Sequence, residues 1–512
     1  MFPKISKEYP ISIGIDFGND SCRVGLFYDK NFVCFPDEIG NISIPSYILI
    51  DEHEKVAGYT AKQQAIRKPH NTISDLKKLI VKSFKDKNPI LPNVIIEDEK
   101  PYFVFGTSDQ TPLQLRLEKI LAILFSKLKN LAEQSIDNDN QPITSLAVTV
   151  PISFGDIERL VIKDAAILAG FKSVRLIREP IAAVMAYNPS VKEKKNIFVF
   201  DLGGSHLGLS VISAEDEVFE PIYFADFELS GRDFDRKLVE YCLQDIKKHN
   251  PNVDITINEK AMKRLENHCE KAKRELTRSI QTQFEIENLY DGQDYSFKIT
   301  RPKFEDLCSS LFQQISSHID QTLKQSGLKI EQLHQVILAG AASKIPKVTE
   351  LVSEYFKEIK FNSTIDPEKV IVQGTALQAA IQSGHYEITR FCCWTPDLSY
   401  LPMGIEVNGG LFHVILDRNM IYPLKRKNVF TTSNDNQTSA VVNLFEGYSP
   451  LANQNHFMGS VSLDNISPAP RGVAQIEVTL DIDCNNQLKL SVVELATGKS
   501  NKYCVAIDKV RY

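Results

Sequence analysis

An internal repeat constrains the fold of this chain more than any other feature of its sequence. Residues Ile13–Phe27 and Phe198–Ile212 share one design: an apolar strand that ends in Asp, an apolar residue, Gly, a polar turn and a second apolar strand. Asp16 aligns with Asp201 in the two copies. Two matched copies predict two related lobes, and duplicated halves often place a ligand in the cleft between them. We therefore expect a ligand site to which each half contributes one strand–turn–strand loop.

The loops of the repeat carry the residue types that hold phosphates. Gly18 and its counterpart Gly203 let the backbone approach an anion closely, so that consecutive N–H groups can bind it. The aspartates that end the first strands suit Mg²⁺, which usually keeps several of its waters. A third glycine turn, within Val336–Pro346, follows an apolar strand and precedes a helical pattern, which suits a phosphate or a ribose. One such loop occurs in ordinary hairpins, but the matched copies favour a purine nucleotide held by its phosphates.

A helical pattern around Ala261–Thr277 is a fourth element of this kind. Glu270, Lys273, Arg274 and Thr277 recur at i, i+3, i+4 and i+7, so they share one helix face. Alone, this face would be a solvated one with a Glu270–Arg274 ion pair. Its occurrence together with the glycine loops favours a second interpretation, in which the face lines the ligand site.

The texture of the sequence divides the chain into domains. Over residues 1–384, apolar strand-like runs alternate with long helical patterns, which is typical of an α/β domain. Residues 403–512 show strands and turns, and we expect an all-β domain there. The alternation over Gln475–Asp483, followed by a turn at 485–486, predicts a hairpin with one buried face. The segment 385–402 is either an interdomain linker that docks on a neighbouring domain or an edge strand, and its texture leaves both open.

The composition excludes several classes of function. The chain has 512 residues, of which 43% are hydrophobic and 24% charged, enough for two or more domains with full cores. Its formal net charge of −6 predicts neither membrane association nor sequence-specific nucleic-acid binding. The nine scattered cysteines include no C-x-x-C pair, so they indicate neither a zinc site nor a disulfide framework. No signal-peptide pattern and no apolar run of the ~20 residues of a membrane span are present, so we expect a reducing compartment, the cytosol or the nucleus, and we predict a cytoplasmic location.

The order of these motifs resembles the seventy-kilodalton heat-shock chaperones (Hsp70), which belong to the actin–sugar kinase superfamily. The motifs that carry the resemblance are Asp16–Gly18, Asn71–Lys77, Val150–Pro151, Arg178–Pro180, Asp201–Gly204, Ser230–Asp235, Glu270–Arg274, Gly340–Lys347, Phe430–Gln437, Glu446–Gly447 and Ser467–Asp483. The resemblance covers nearly the whole chain. It implies a two-lobed, actin-like α/β ATPase domain over 1–384, a linker over 385–402 and a β-sandwich like the family's peptide-binding domain over 403–512. The family's helical lid would follow the sandwich, and since this chain stops at Tyr512 we expect no C-terminal lid.

The resemblance implies a role for each matching residue. Asp16 and Asp201 would lie around hydrated Mg²⁺. Lys77, Glu179 and Asp201 would be the catalytic residues that face the γ-phosphate and the attacking water. The residues that would bind ATP are Asp16, Gly18, Asn19, Asp20, Ser21, Gly203, Gly204, Ser205, His206, Gly231, Glu270, Lys273, Arg274, Thr277, Gly340, Ala341, Lys344 and Glu368. Within this set the loops would approach the phosphates, and Arg274 would stack on the purine.

The departures from the family pattern fall mainly on the elements of hydrolysis, since the base and ribose elements are largely kept, although in the adenosine motif Ala341 and Ala342 replace Gly and Ser and Lys344 replaces Arg. The first loop usually carries two threonines where this chain has Asn19–Asp20. The second usually reads Gly-Gly-Gly-Thr where this chain has Gly203–His206, and an Asp near the ions is here Gly208. A carboxylate about 5 Å from the phosphates would repel them by roughly 3 kcal/mol at an effective dielectric constant of about 20, unless solvent or Mg²⁺ reduces this. We therefore expect nucleotide binding to survive better than turnover.

The all-β half departs from the pattern too. Phe391–Trp394 stands where the family's linker has a leucine run that ends in Asp. Ala440 replaces a Val of the central peptide pocket, and Asn408 and Ser433 replace apolar arch residues. A smaller, more polar pocket without a lid should hold peptide weakly and release it fast.

Two functions remain open. The first is an atypical, lidless co-chaperone, similar to the hydrolysis-impaired subunits of ribosome-associated complexes, that binds ATP and assists the folding of nascent polypeptides at the ribosome with a J-domain partner. The second is an active lidless, ATP-dependent chaperone that binds unfolded peptides directly, as in a stress response. Pro151, Arg159 and Arg175 match positions that family members use to pass the nucleotide state to the linker and to J-domain co-chaperones. A sugar or acetate kinase is disfavoured, because the sandwich would have no purpose there.

Overall fold

The fold is given by a computed structural model in two compact units, Met1–Cys393 and Trp394–Tyr512. The residues that it describes are 11–85, 94–97, 100–106, 113–136, 142–187, 191–215, 218–251, 253–290, 292–384, 401–417, 420, 424–482 and 487–506. Most of the predicted linker (385–400) and the predicted turn at 485–486 lie outside the described residues. In the described part of the chain, no helix has the length and apolar character needed to cross a membrane.

The first lobe of the N-terminal unit is built on a mixed sheet. Its strands in chain order are β1 (Ser12–Asp16), β2 (Ser21–Tyr28), β3 (Asn31–Phe35), β4 (Ile44–Pro45), β5 (Ile48–Ile50), β6 (Lys55–Ala57), β7 (Thr72–Ile73), β8 (Val94–Glu97), β9 (Lys100–Phe105), β10 (Leu113–Arg116), β11 (Ser145–Val150) and β12 (Ser173–Arg178). The main sheet has the order β12-β11-β1-β2-β3, and β4 pairs with β2. β1 runs antiparallel to β2 and parallel to β11, and all of its residues are buried, as expected for a central strand.

The second lobe repeats this arrangement. Its strands are β13 (Lys195–Leu202), β14 (Leu207–Glu215), β15 (Val218–Phe227), β16 (Gln281–Tyr290), β17 (Gln293–Thr300), β18 (Gln335–Ala339) and β19 (Lys360–Asn362). The main sheet has the order β15-β14-β13-β18-β19, in which β13 is antiparallel to β14 and parallel to β18. In both lobes the first strand is central, with two antiparallel strands on one side and two parallel strands on the other. The predicted repeat is therefore confirmed by the strand order.

Helices pack on the sheets of both lobes. They are α1 (Tyr59–Gln64), α2 (Leu76–Lys85), α3 (Leu117–Ser135), α4 (Asp156–Leu168), α5 (Glu179–Tyr187), α6 (Gly231–His249), α7 (Glu259–Leu276), α8 (Arg301–Leu307), α9 (Ser309–Ser326), α10 (Pro346–Tyr355) and α11 (Val370–Gln382). α11 touches its neighbours at backbone distance. A Cβ on Gly14 of β1 would lie 2.2 Å from the backbone nitrogen of Ala376, and one on Gly374 would lie 1.8 Å from the carbonyl oxygen of Ala182 in α5. Only glycine permits this packing at either position.

The C-terminal unit is a β-sandwich, as predicted. Its strands are β20 (Met403–Val407), β21 (Leu411–Leu416), β22 (Leu424–Phe430), β23 (Ser439–Glu446), β24 (His456–Asp464), β25 (Ile476–Ile482), β26 (Gln487–Glu494) and β27 (Ser500–Ala506). They form antiparallel sheets of order β21-β20-β23-β24 and β22-β25-β26-β27, whose inner faces share one apolar core. The predicted hairpin is confirmed: Ile482 pairs with Leu488, and alternate residues from Ile476 to Val492 are buried.

Candidate functional site

The two loops of the repeat lie at the ends of the central strands β1 and β13. In the first loop, a Cβ on Gly18 would lie 2.1 Å from the carbonyl oxygen of Ser21, so the turn into β2 is too tight for any other residue. In the second, the N–H of Gly203 donates to the carbonyl oxygen of His206 at 3.1 Å and closes the turn into β14. Because the strands are equivalent in their sheets, each lobe presents one loop to the same cleft.

That cleft lies between the lobes and has a volume of about 2010 Å³. It is lined by every residue that the sequence predicts to be catalytic, to bind the cofactor or to lie at the metal. The third predicted glycine turn is part of its wall: β18 ends at Ala339, and Gly340 leads into a short 3₁₀ turn and then α10. Gly340 has a φ of +83°, and a Cβ there would lie 2.3 Å from the carbonyl oxygen of Leu202, so glycine is required. The fold thus gathers residues from distant parts of the chain around one cleft.

Buried charges form the floor of the cleft. Lys77 of α2 makes an ion pair with Glu179, the first residue of α5. Burial opposes the charge of Lys77, but its carboxylate partner raises the pKa of this lysine above the usual value. Burial, together with the nearby charges of Glu179 and Asp16, raises the pKa of Asp201 to about 8. Burial likewise raises the pKa of Asp16, which Arg23 opposes.

Arg23 is a cation of this floor that the sequence motifs did not point to. It lies on β2 with only 8% of its surface exposed. Its Nη1 donates to Oδ2 of Asp16 at 3.2 Å, and its Nη2 donates to Oε1 of Glu368 at 3.0 Å. The hydroxyl of Ser43 donates to the same Glu368 oxygen at 2.6 Å. Burial opposes the charge of Glu368, but Arg23 and Ser43 lower its pKa to about 2. The sequence analysis missed Arg23, although a charged residue inside an apolar strand is a signal that could have indicated a buried ion pair.

The carboxylates of the floor fit a hydrated magnesium ion better than a directly coordinated one. Asp16 and Asp201 belong to one acidic cluster. Burial first, and then repulsion from Glu179 and Asp16, raise the pKa of Asp201, and a divalent cation would relieve this repulsion. One oxygen of Asp16 already accepts from Arg23, and the described residues contain no group of three or more His, Cys, Asp or Glu that could hold a metal ion. Since Mg²⁺ usually keeps several waters, Asp16 and Asp201 would hold it through its water shell.

An ion pair joins the tip of the first loop to the start of α6 in the other lobe. Asp20 of the first loop accepts from Nη2 of Arg232, the second residue of α6 in the other lobe. Nη1 of Arg232 donates to Oδ1 of Asp75 at 2.6 Å. The carboxylate of Asp20 also lies against the second loop, since a Cβ on Gly204 would be 1.6 Å from its Oδ2. Burial raises the pKa of Asp20, whereas Arg232 opposes the rise. Asp20, the carboxylate expected to repel phosphates, therefore has a counter-charge in Arg232. This screening adds to any that solvent or Mg²⁺ provides.

Asn19 ties the first loop to the start of α2. Its Nδ2 donates to Oδ1 of Asp75 at 2.6 Å, and its Oδ1 accepts the backbone N–H of Lys77 at 3.0 Å. Asp75 has a φ of +55°, a conformation that Asp and Asn tolerate better than most residues. Both polar groups of the Asn19 side chain are therefore bonded to the protein.

The predicted helix face lies on α7, at the other end of the cleft. Glu270 accepts from Arg274 at 3.1 Å, which is the ion pair expected of a solvated face, and also from Lys62 of the first lobe at 3.1 Å. Lys273 instead points inward, where its Nζ donates to Oδ2 of Asp235 and to the carbonyl oxygen of Gly231, each at 2.8 Å. Both interpretations of the face are therefore partly right, because it makes the local pair and also lines the cleft.

Lys344 completes this wall from the third glycine turn. Its Nζ lies 3.0 Å from Oδ2 of Asp366 and 3.5 Å from Oε2 of Glu368. Glu368 thus contacts both Lys344 and Arg23, and it links the wall of the cleft to the buried floor. The whole arrangement supplies glycine loops, cations and a carboxylate cluster, which are the groups that a nucleoside triphosphate and its metal ion require.

Comparison with known proteins decides the family. A model of the Hsp70 protein family matches residues 12–511. This chain belongs to the Hsp70 family. The heat shock 70 kDa protein of Neurospora crassa is 34% identical over an alignment of 514 positions, which covers 98% of this chain and 78% of the relative. The heat shock 70 kDa protein of Emericella nidulans is also 34% identical, over 515 positions and the same shares of the two chains. Heat shock 70 kDa protein 2 of Paracoccidioides lutzii is 34% identical over an alignment of 521 positions, which covers 98% of this chain and 77% of that protein.

In this Hsp70, the departures from the family's loop sequences coincide with bonds made inside the protein. Asn19 bonds to the start of α2, and Asp20 bonds to Arg232. In the second loop, Oγ of Ser205 and Nδ1 of His206 lie 3.4 Å apart. The loop-tip side chains therefore bond mainly to each other and to neighbouring protein groups.

Proposed function

We propose that this chain is an atypical Hsp70 chaperone or co-chaperone that binds ATP with Mg²⁺ in the cleft and hydrolyses it weakly or not at all. The observation that carries the proposal is the bonding of the loop tips. Where the Hsp70 pattern has threonines, this chain has an amide bonded to α2 and a carboxylate bonded to Arg232. Neither offers a free hydroxyl to the γ-phosphate and the attacking water, and phosphoryl transfer depends on such positioning.

The remaining residues of the cleft favour binding. ATP would supply the phosphoryl group, and Mg²⁺ would screen the charge of the phosphates. Gly18 and Gly203 leave room for the backbone to approach phosphate oxygens, while Asp16 and Asp201 would orient the waters of the ion. Arg274 pairs with Glu270, and 52% of its side chain is exposed, so its guanidinium plane is accessible for stacking on a purine.

We also propose that the protein works in the cytoplasm with a J-domain partner, at the ribosome and on nascent polypeptides. The support is that this chain departs from the family pattern at the hydrolysis loops, as the atypical subunits of ribosome-associated complexes do. A contact between the strand that carries Arg175 and the end of α11 adds to this support. Arg175 lies on β12, and Oγ of Ser173 on the same strand accepts from Nε2 of Gln382, the last residue of α11, at 2.7 Å.

Single-turnover hydrolysis of ATP, with and without a J-domain protein, tests the proposal. We expect slow hydrolysis that the J-domain protein changes little. Robust stimulated turnover would contradict the co-chaperone role. Co-sedimentation with ribosomes, together with one J-domain protein at equal stoichiometry, would support it, whereas a free monomer in lysate would count against it.

The alternative function is that of an active chaperone which binds unfolded peptides itself. It is favoured by apolar side chains that the sandwich exposes, among them Val429 at 56%, Val441 at 64% and Phe457 at 50%. Fluorescence anisotropy with labelled unfolded peptides tests this function. Binding that weakens on addition of ATP, together with stimulated turnover, would establish it.

A further inference from the structure

The carboxylate of Asp20 fills an anion-binding position to which both lobes contribute. It belongs to the first loop, it lies against the backbone of Gly204 in the second loop, and it accepts from the guanidinium of Arg232. Glycine backbone and an arginine are the groups that proteins use to bind phosphate oxygens. The protein therefore already places one of its own anions between the two predicted phosphate loops.

The position of Arg232 is set by the second loop. The N–H of Arg232 donates to the carbonyl oxygen of Gly204 at 3.1 Å, and the N–H of Gly231 donates to that of Gly203 at 2.9 Å. The start of α6 and the loop are thus one unit. The Arg232 side chain is 37% exposed and lines the cleft, so a ligand can reach it. Asp75 holds its Nη1, which keeps the guanidinium oriented when Nη2 changes partner.

The other cations around the cleft are less suited to receive a terminal phosphate by exchange of partners. Lys77 is buried against Glu179, and Lys273 donates to Asp235 and to a backbone carbonyl. The side chain of Arg232, in contrast, is 37% exposed, and its partner Asp20 sits between the loops. Carboxylate and phosphate oxygens offer the same kind of acceptor to a guanidinium, so the one can replace the other.

We propose that Arg232 binds the terminal phosphate of a nucleoside triphosphate, and that Asp20 competes with that phosphate for it. The proposal rests on the proposed function, that the cleft binds a nucleotide. A triphosphate reaches the loop tips and must displace Asp20 from Arg232. A diphosphate ends one phosphate earlier and leaves the Asp20–Arg232 pair intact. The chain as it stands therefore favours the diphosphate, and Asp20 and Arg232 determine the preference between the two nucleotides.

Equilibrium binding of fluorescent ADP and of a fluorescent non-hydrolysable ATP analogue to the full chain tests this. Asp20→Ala should tighten binding of the triphosphate about tenfold and change binding of the diphosphate by less than about threefold. Asp20→Asn, which keeps the shape and removes the charge, should act in the same direction. Lys347→Gln is the matched control, because this lysine is 38% exposed, much as Arg232 is, pairs with Glu350 at 2.7 Å and does not line the cleft. It should leave both affinities unchanged.

A double variant, Asp20→Ala with Arg232→Gln, tests whether Arg232 itself contacts the phosphate or whether only the removal of the Asp20 charge matters. In the Asp20→Ala background, Arg232→Gln should weaken binding of the triphosphate about tenfold again, because the arginine itself contacts the phosphate. No effect of Arg232→Gln in that background would overturn the assignment of Arg232. Equal shifts of both nucleotides in Asp20→Ala and Asp20→Asn, with unchanged circular dichroism, would overturn the role of Asp20 as competitor. Absence of binding of either nucleotide to every variant and the wild type would instead refute the proposed function, and the inference with it.

Discussion

The two ends of the cleft hold their charged side chains in different ways. At the α7 end, the pairs of Glu270 with Lys62 and Arg274 join side chains that are 29–52% exposed. At the floor, Arg23 and Lys77 and their carboxylate partners on β1 and α5 have 8–9% exposed side chains. Pairs near solvent contribute little and exchange partners easily, whereas buried pairs are costly to break. The end that would hold the base is therefore adaptable, and the end that would hold the phosphates is already compensated by charges of the protein.

This contrast has a consequence for function. Chemistry at the phosphates needs positive charge and donors that respond as charge develops in the transition state. In this protein Lys77 and Arg23 are already bonded to buried carboxylates, and Arg232 is bonded to Asp20. Such a site can hold an anion while offering less to the reaction itself, which is the combination that the proposed function requires.

The largest effect is expected when the buried floor loses its arginine. Arg23→Ala leaves the carboxylates of Asp16 and Glu368 buried without their main counter-charge, and it should lower the free energy of unfolding by about 3–5 kcal/mol. Urea unfolding followed by far-ultraviolet circular dichroism, which reports on the helices of the N-terminal unit, measures this change. The exposed control Arg236→Ala should stay within about 0.5 kcal/mol of the wild type. A loss below about 1 kcal/mol for Arg23→Ala would mean that the floor is not a compensated buried cluster.

The second prediction concerns the acid stability that the floor provides. The pKa of Glu368 is lowered to about 2 in the folded protein, so its contribution is present above the pKa of the unfolded chain and is lost as the pH falls through the folded value. Without nucleotide, the wild type should lose about 2–3 kcal/mol more than Glu368→Gln on acidification from about pH 5 to about pH 2.

Unfolding midpoints of the two proteins across this pH range measure the difference. Glu350→Gln changes a carboxylate that is 51% exposed and serves as the control, with a profile parallel to that of the wild type. Parallel profiles for Glu368→Gln and the wild type would rule out the stabilising role of the Arg23–Glu368 pair.

The third prediction restores hydroxyls to the loop tips. Asp20→Thr combined with His206→Thr should raise the rate of single-turnover ATP hydrolysis by about tenfold or more, equivalent to about 1.4 kcal/mol, because the loops regain donors for the γ-phosphate and the water. His206→Thr alone should give less, since Asp20 would still occupy Arg232. If the double variant hydrolyses ATP no faster than the wild type, the defect lies outside these loop tips.

The smallest effect is expected at the adaptable end. Lys62→Ala removes the pair between the lobes beside Glu270, and it should speed nucleotide dissociation two- to threefold, or by about 0.5 kcal/mol. Stopped-flow release of a fluorescent nucleotide measures this rate. Lys347→Ala removes a comparable pair with Glu350 away from the cleft and should leave the rate unchanged. A change of tenfold or more for Lys62→Ala would erase the distinction between the two ends.

Local patterns were sufficient to predict the repeat and the α/β and all-β halves. Most of the residues that meet in the cleft, among them Lys77 and Glu179, were instead predicted from the resemblance to the Hsp70 family. The loops around Asp16 and Asp201 could be recognised because strand, aspartate and glycine are adjacent in sequence. The hairpin from Ile476 was predictable for the same reason, since alternation shows which face of a strand is buried.

The ion pairs of the cleft were not predictable in this way. Asp20 and Arg232 are 212 residues apart and belong to different lobes, so only the packing of the lobes brings them together. Arg23 and Glu368 are 345 residues apart, and no sequence motif pointed to Arg23. Sequence patterns identified the positions of the site, whereas the bonds that decide its chemistry depend on the tertiary structure.

The contact of Asp20 with Gly204 also has a consequence for the protein without nucleotide. A ligand tethered by the chain has an effective concentration that is set by geometry and not by the amount of protein. Dialysis and dilution remove a free nucleotide, but they do not remove this carboxylate from between the loops. In protein from which nucleotide has been removed, Asp20 thus still occupies the position between the loops. Every measured affinity for a triphosphate therefore includes the free energy of displacing Asp20.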